Sequence, residues 1–322
     1  MKTDLFTMRT SQTNVRLNCI GPEKFQVILA AVSTSRSELI FRWGVLLLLA
    51  LIWGSSFILM KIGLKAIPFR ELGALRMTVA FLALIPLGFR SWLRIEKKYW
   101  KYLFIVGLCG NGLPAFLFAL AQTEINSSLA GMLNSLVPLF TLSFGLIFFG
   151  VRSKTVHAAG VVVGLGGALL LLYEPGLSLD SMSVYGLWVV VATMCYATSV
   201  NVIKKYLSAL SSGVITSTSL VFIGPPCAIY LLFTDFPQRF CLESEFMLSF
   251  WAIVVLSVFS TGLAIVIFNM LIKRVSALYA SSVTYLIPIV AIFWGMLDGE
   301  VIRSLQFAGM GAILTGIYLI NK

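Results

Sequence analysis

The chain has 322 residues, of which 59% are hydrophobic and 11% charged, and its mean hydropathy is +0.95. Soluble globular domains carry about 25% charged residues, so the composition excludes a soluble domain and indicates an integral, multi-pass membrane protein. A net charge of +11 would suit nucleic acid, but the basic residues follow the pattern of the predicted spans, which argues against that partner.

Residues 1–38 are polar and weakly periodic, and FQVILAAV at 25–32 is too short to be the core of a signal peptide. They are expected to form a disordered cytoplasmic extension, or to lie upstream of a translation start near Val32, with the first span left uncleaved. Apolar runs of about 20 residues cross ~30 Å of hydrocarbon as helices, because lipid offers the backbone no hydrogen-bond partners. Ten such runs follow, at 43–65, 71–90, 101–122, 127–149, 155–173, 184–205, 211–234, 249–271, 276–297 and 303–320. The sixth is the most polar, with Thr193, Cys195, Tyr196, Thr198, Ser199 and Asn201.

Assigning Lys and Arg to alternate sides of these ten spans puts 18 of the 24 on one side, the side of both termini. The positive-inside rule makes that side the cytoplasm and suggests a bacterial inner (plasma) membrane. The five cysteines show no paired spacing and there is one histidine, His157, so neither a disulfide framework nor a metal site is expected. No cofactor is implied, and nothing assembles into a nucleophile, base and acid, so an enzyme is not expected.

The two halves repeat. An offset of 150 pairs Gly112 with Gly262, Phe118 with Phe268, Ala130 with Ala280, Pro138 with Pro288 and Gly145 with Gly295. An offset of 143 pairs Ser56 with Ser199 and Lys61 with Lys204. A unit of five spans crosses an odd number of times, so its second copy enters the membrane inverted. Inverted repeats serve secondary transporters, with the site near the midplane between the copies. The expected fold is therefore an all-α polytopic membrane protein of ten transmembrane helices, built as two inverted five-helix repeats over 39–174 and 182–322.

Polar residues near the bilayer centre are costly unless they face a cavity or a partner. Positions on the pseudo-twofold axis should recur in both halves, and Ser56/Ser199, Asn111/Thr261 and Asn134/Thr284 do so. With Tyr196 and Tyr285 as amphipathic walls, these eight are the candidate substrate-binding residues. Interhelical hydrogen bonding of about 0.6–2 kcal/mol each is the plainer reading. GLCGNGLP (107–114) and SVFSTGLA (257–264) interrupt spans three and eight, and interruptions at corresponding positions point to a site. Gly112, Gly262, Pro138 and Pro288 are the candidate helix-breaking positions at the cavity. A proline denies the carbonyl four residues earlier its helical donor, which would free those of Asn134 and Thr284. Lys61 and Arg76 sit in the outer parts of their spans, where they could attract a substrate carboxylate or snorkel to the interface; Lys61 is expected to snorkel, and central basic residues are lacking. The small-residue steps of spans five and ten, at Gly160/Gly164 and Ala308/Ala312/Gly316, read as a packing scaffold.

IWGSSFILMKIGL (52–64), Pro68, Arg76 and the twin Leu-x-Pro segments at 136–138 and 286–288 resemble the EamA family of the drug/metabolite transporter superfamily. The resemblance covers about residues 41–321. It implies ten helices in two inverted units, a central cavity, and export or exchange of amino acids or other small metabolites. From the candidate residues, the two bundles are expected to rock around a site lined by spans one, three, four, six, eight and nine. One departure is that Glu300 matches the acidic residue usual after span nine, while Gly150 stands at the partner position after span four. The expected function is thus a secondary transporter, an exporter of small polar or amphipathic metabolites such as amino acids. A sugar-phosphate or nucleotide-sugar exchanger and a non-transporting scaffold remain as alternatives. Partners are a small-molecule substrate and the bilayer, with the chain a monomer or a homodimer.

Overall fold

The structure, a computed structural model, describes residues 22–92, 95–151, 155–173, 182–242, 244–274 and 283–320. The chain divides into two units, Met1–Gly44 and Val45–Lys322. In the first, residues 1–21 of the expected extension lie outside the described residues, and the backbone is helical from Pro22. The second unit contains everything that follows.

In chain order the helices are α1 (Pro22–Leu64), α2 (Phe69–Trp92), α3 (Lys97–Gly107), α4 (Leu113–Ala121), α5 (Ser127–Leu133) and α6 (Val137–Phe148). Then come α7 (Thr155–Leu172), α8 (Met182–Tyr206), α9 (Ser212–Val221), α10 (Gly224–Leu232), α11 (Phe236–Leu242), α12 (Ser244–Val255), α13 (Ala264–Arg274), α14 (Val283–Leu297) and α15 (Ser304–Ile320). Every regular element among the described residues is helical, as a backbone in hydrocarbon requires. Eight helical stretches there are long and apolar enough to cross a membrane, from Trp43–Leu64 to Phe246–Leu271. Val283–Leu297 and Ser304–Ile320 are apolar but shorter. The first seven residues of the run expected at 276–297 lie outside the described residues.

Local chemistry explains the boundaries. Pro68 precedes α2, whose first closing bond runs from the Leu72 N–H to the Pro68 carbonyl at 2.9 Å, and Glu71 in the first turn suits the positive end of the helix dipole. The polar α8 remains one continuous helix because its side chains find partners. Thr193 and Thr198 donate back to the carbonyls of Val190 and Met194, and the Asn201 amide bridges the carbonyls of Ala197 and Thr141. Past α6 and α14 the chain turns through Gly150 and Gly299, at φ of 74° and 79°, a left-handed conformation that glycine adopts without strain.

The buried apolar core runs through α1, α2, α4, α6, α8 and α14. Helices α7 and α15 pack differently. A methyl group placed on Gly160 would run into the Gly316 carbonyl at 2.6 Å, and one on Gly167 into that of Gly309 at 2.6 Å. The pairing of 160 with 316 and 167 with 309 shows that the two helices run antiparallel with their backbones nearly touching. Their outer faces, including Val162 and Leu169, are exposed, as lipid-facing surface should be.

Candidate functional site

The interruptions in spans three and eight are π-helical turns. Leu108–Gly112 joins α3 to α4, and its widened ring is closed by the Leu113 N–H on the Leu108 carbonyl, five residues back. Pro114 follows at once and denies the Gly110 carbonyl its ordinary helical donor. Leu256–Leu263 joins α12 to α13, with the Ala264 N–H on the Phe259 carbonyl. Here Ser257 donates back to the Ile253 carbonyl at 2.5 Å, and the Trp53 indole takes the Ser260 carbonyl at 3.0 Å. Such turns rotate the residues after them and recur at functional sites.

Both turns open onto one cavity of about 130 Å³, several times the space a single water needs. Seven of the eight candidates line it: Ser56, Asn111, Asn134, Tyr196, Ser199, Thr261 and Thr284. Tyr285 does not; it is half-buried against the apolar core. Pro138, Pro288, Gly112 and Gly262 are buried behind the wall, while their neighbours Val137 and Ile287 form part of it. The carbonyls that the two prolines release are already occupied. Asn134 precedes Pro138 in a tight 3₁₀ turn, and its carbonyl accepts the Val137 N–H. The Thr284 carbonyl accepts the Ser135 hydroxyl at 3.2 Å, tying α14 to the same turn.

The wall also recruits α2 and α9, which the expected set of six spans omits. Arg76 of α2 is buried in it, its Nε donating to Thr261 Oγ1 at 2.9 Å, and its guanidinium also interacts electrostatically with the Tyr196 side chain. A central basic residue is therefore present, against the expectation from its position along the span. Thr216 and Ser219 enter from α9, Thr216 accepting from Asn269 at 3.0 Å and Ser219 from Asn111 at 3.4 Å. The offset of 143 that pairs Ser56 with Ser199 also pairs Trp53 with Tyr196 and Arg76 with Ser219. Applied along all of span two, it would have flagged Arg76.

Two polar atoms in the wall, Asn111 Oδ1 and Ser260 Oγ, are buried without a hydrogen-bond partner among the described residues. No Asp or Glu is among the described residues of the lining. The electrostatic character of the cavity is one guanidinium surrounded by hydroxyl and amide groups.

Ion pairs tie helix ends together away from the cavity. Lys61, at the end of α1, reaches Glu300 Oε1 and Asp298 Oδ2, each at 2.7 Å, so it is paired rather than snorkelling. Glu300 also accepts from the backbone N–H and hydroxyl of both Ser127 and Ser128, at 2.6–3.0 Å. It thus caps α5 rather than the helix that follows it. Burial alone would raise its carboxyl, but Lys61 and these serine donors outweigh burial and hold it at about 2. Arg239 pairs with Glu71 and donates to the Ala66 carbonyl. In the first half, the residue after the left-handed glycine is Val151, whose N–H bonds the Gly145 carbonyl as that of Glu300 bonds Gly295. The geometric mate of Glu300 is therefore Val151 rather than Gly150, and it too carries no acid.

The family model described as the EamA-like transporter family matches residues 42–173 and again 184–322. The chain belongs to the EamA-like transporter family. This EamA-like transporter is 26% identical over 286 residues to an uncharacterized transporter of Archaeoglobus fulgidus, a match covering 87% of this chain and 99% of that one. It is 26% identical over 292 residues to a protein of Escherichia coli named as a probable amino-acid metabolite efflux pump, covering 86% and 93%. A solved crystal structure at 20% identity aligns with a TM-score of 0.61 over 85% of this chain and 94% of that one, a likeness of fold alone. The EamA-like transporter is accordingly an integral membrane protein whose task is to move a small molecule through the bilayer.

Proposed function

We propose that this chain is a secondary transporter that exports small metabolites bearing one carboxylate, amino acids foremost, by alternating access of two inverted five-helix repeats. The observation that carries this reading is the buried Arg76 facing a cavity whose described lining has no acidic residue. A guanidinium so placed favours an anion and binds a carboxylate with charge-assisted hydrogen bonds. The orphaned Asn111 Oδ1 and Ser260 Oγ suit an ammonium or hydroxyl on the same substrate. A phosphate dianion, the ligand of a sugar-phosphate exchanger, would leave one negative charge uncompensated in a low-dielectric chamber. The relative named as an amino-acid metabolite efflux pump supports the same substrate class.

Alternating access is supported by the two family matches in one chain and by the antiparallel pairing of α7 with α15. The Lys/Arg bias supports a cytoplasmic location for both termini, which would turn Lys61 and Glu300 outward. In this reading their ion pair closes the outer end, and Val151 leaves the inner end without a counterpart.

The test is counterflow in proteoliposomes loaded in turn with amino acids, dicarboxylates and sugar phosphates. Exchange confined to monocarboxylates supports the proposal. Exchange of sugar phosphates alone, or of nothing in the panel, overturns it.

A further inference from the structure

A second concave site lies where the start of α3 meets the end of α8. It is a groove of about 490 Å³ lined by Lys97, Lys98, Lys101 and Lys205 together with Tyr99, Tyr102 and Tyr206. Within it the rings of Tyr102 and Tyr206 stack 4.2 Å apart with planes 7° from parallel. The ammonium groups are held over aromatic faces, Lys98 over Tyr99 at 4.9 Å, Lys101 over Tyr102 at 4.8 Å and Lys205 over Tyr206 at 5.5 Å. Such contacts favour cations at the ring face and gather charges that would otherwise spread apart. Glu96 neutralises Lys98 at 2.7 Å. Lys205 donates to the Phe149 carbonyl at 3.2 Å, and Lys97, Lys101 and Lys205 have no carboxylate partner among the described residues. The positive end of the α3 dipole adds to the same field.

Position distinguishes the two sources of an anion. The groove opens at the ends of the candidate spans Lys97–Ala121 and Val184–Tyr206, where the ends of spanning helices meet the headgroup layer. It is continuous with apolar surface facing the bilayer. The Phe149 ring meets Tyr206 at 6.4 Å, the preceding Ile147 and Phe148 are exposed, and Phe104 is exposed further along α3. A soluble anion would use only the lysines, whereas a phospholipid also covers the apolar wall beneath them. We propose that this groove binds the headgroup phosphate of an anionic phospholipid, whose acyl chains lie along Phe104 or Ile147 and Phe148. Basic pockets between spans are suited to such lipids.

The experiment is native mass spectrometry of the delipidated full chain titrated with phosphatidylglycerol. Combined Lys97→Ala, Lys101→Ala and Lys205→Ala substitution is expected to weaken binding at least tenfold, while Arg at the same three positions keeps it within threefold. A control with Lys65→Ala and Arg70→Ala, exposed cations elsewhere, is expected to bind as the parent does. Equal weakening in the control, or none in the triple variant, overturns the site. Complete displacement of the lipid by millimolar inorganic phosphate also overturns it, by assigning the groove to a soluble anion. If the triple variant does not fold, Lys101→Ala and Lys205→Ala singly must each weaken binding at least threefold, and no change in both has the same overturning force.

Discussion

Arg76 offers five N–H donors in a fixed plane, and Thr261 and Tyr196 engage only part of that fork. A substrate carboxylate can take the remainder. Arg76→Gln is expected to lower kcat/KM for a carboxylate substrate by roughly 10- to 100-fold, the worth of a charged hydrogen bond. Counterflow with the corresponding amide should respond far less to the same substitution, and equal loss for both would reduce Arg76 to a packing role. The cavity residues were legible in the sequence wherever the two halves repeat a polar type, as at Asn111 and Thr261. Arg76 could be read as a carboxylate attractor but stayed outside the eight candidates, because its depth along the span was weighed and its face was not. Tyr285 follows Thr284, and one residue turns about 100° around a helix, so when Thr284 faces the cavity its neighbour faces the core. Tyr196 precedes Ser199 by three residues and shares its face.

Between α3 and α4 the π turn trades regular backbone bonding for the placement of Asn111. Pro114 maintains that departure, since its ring crowds the Gly110 carbonyl. Pro114→Ala is expected to let α3 and α4 merge into one regular helix, with the melting temperature unchanged or raised. Transport should fall at least tenfold as Asn111 rotates away from Ser219 and the cavity. A variant that transports normally would show that the turn is only packing. In the sequence, GLCGNGLP announced an irregularity, because glycine and proline mark where a backbone leaves the ordinary helix. They do not say whether it breaks, tightens or widens. The tightening before Pro138 and the widening before Pro114 depend on which carbonyls find donors, and that is a tertiary matter.

At the level of the whole molecule, the proposed cycle makes the Lys61–Glu300 pair the feature that sets the outer end of the chamber apart from the inner one. The Glu300 carboxyl is held at about 2, below the ordinary 4.5. Its stabilising contribution is therefore complete above about pH 4.5 and is lost as the pH falls through about 2. The melting temperature of the parent should hold constant from pH 8 to 5 and decline between about 4.5 and 2, and Glu300→Gln should remove that step. The same substitution is expected to speed labelling of a Ser56→Cys reporter from the Lys61 side at least fivefold in oriented vesicles. An unchanged labelling rate would leave the pair as a fold determinant without a gating role. The doubling of the chain was readable from identities at two offsets. A one-residue gap was readable too, since Ala159 pairs with Ala308 and Gly160 with Gly309; that it falls ahead of Glu300, aligning it with Val151, is revealed by the left-handed turns at Gly150 and Gly299.

The seam between α7 and α15 has a mechanical meaning beyond adhesion. Where side chains interdigitate, turning one helix on another forces rotamers out of their wells. Where Gly160 meets Gly316 and Gly167 meets Gly309, peptide lies against peptide, and the side chains of Ile320, Ala312 and Leu171 only flank the contact. Such a joint resists being pulled apart, because close dispersion contacts are lost at once, yet it opposes swivelling weakly. In the proposed rocking of the two repeats this seam is the place for an axle, and bulk added at Gly167, which would meet the Gly309 carbonyl, is expected to force the two helices apart.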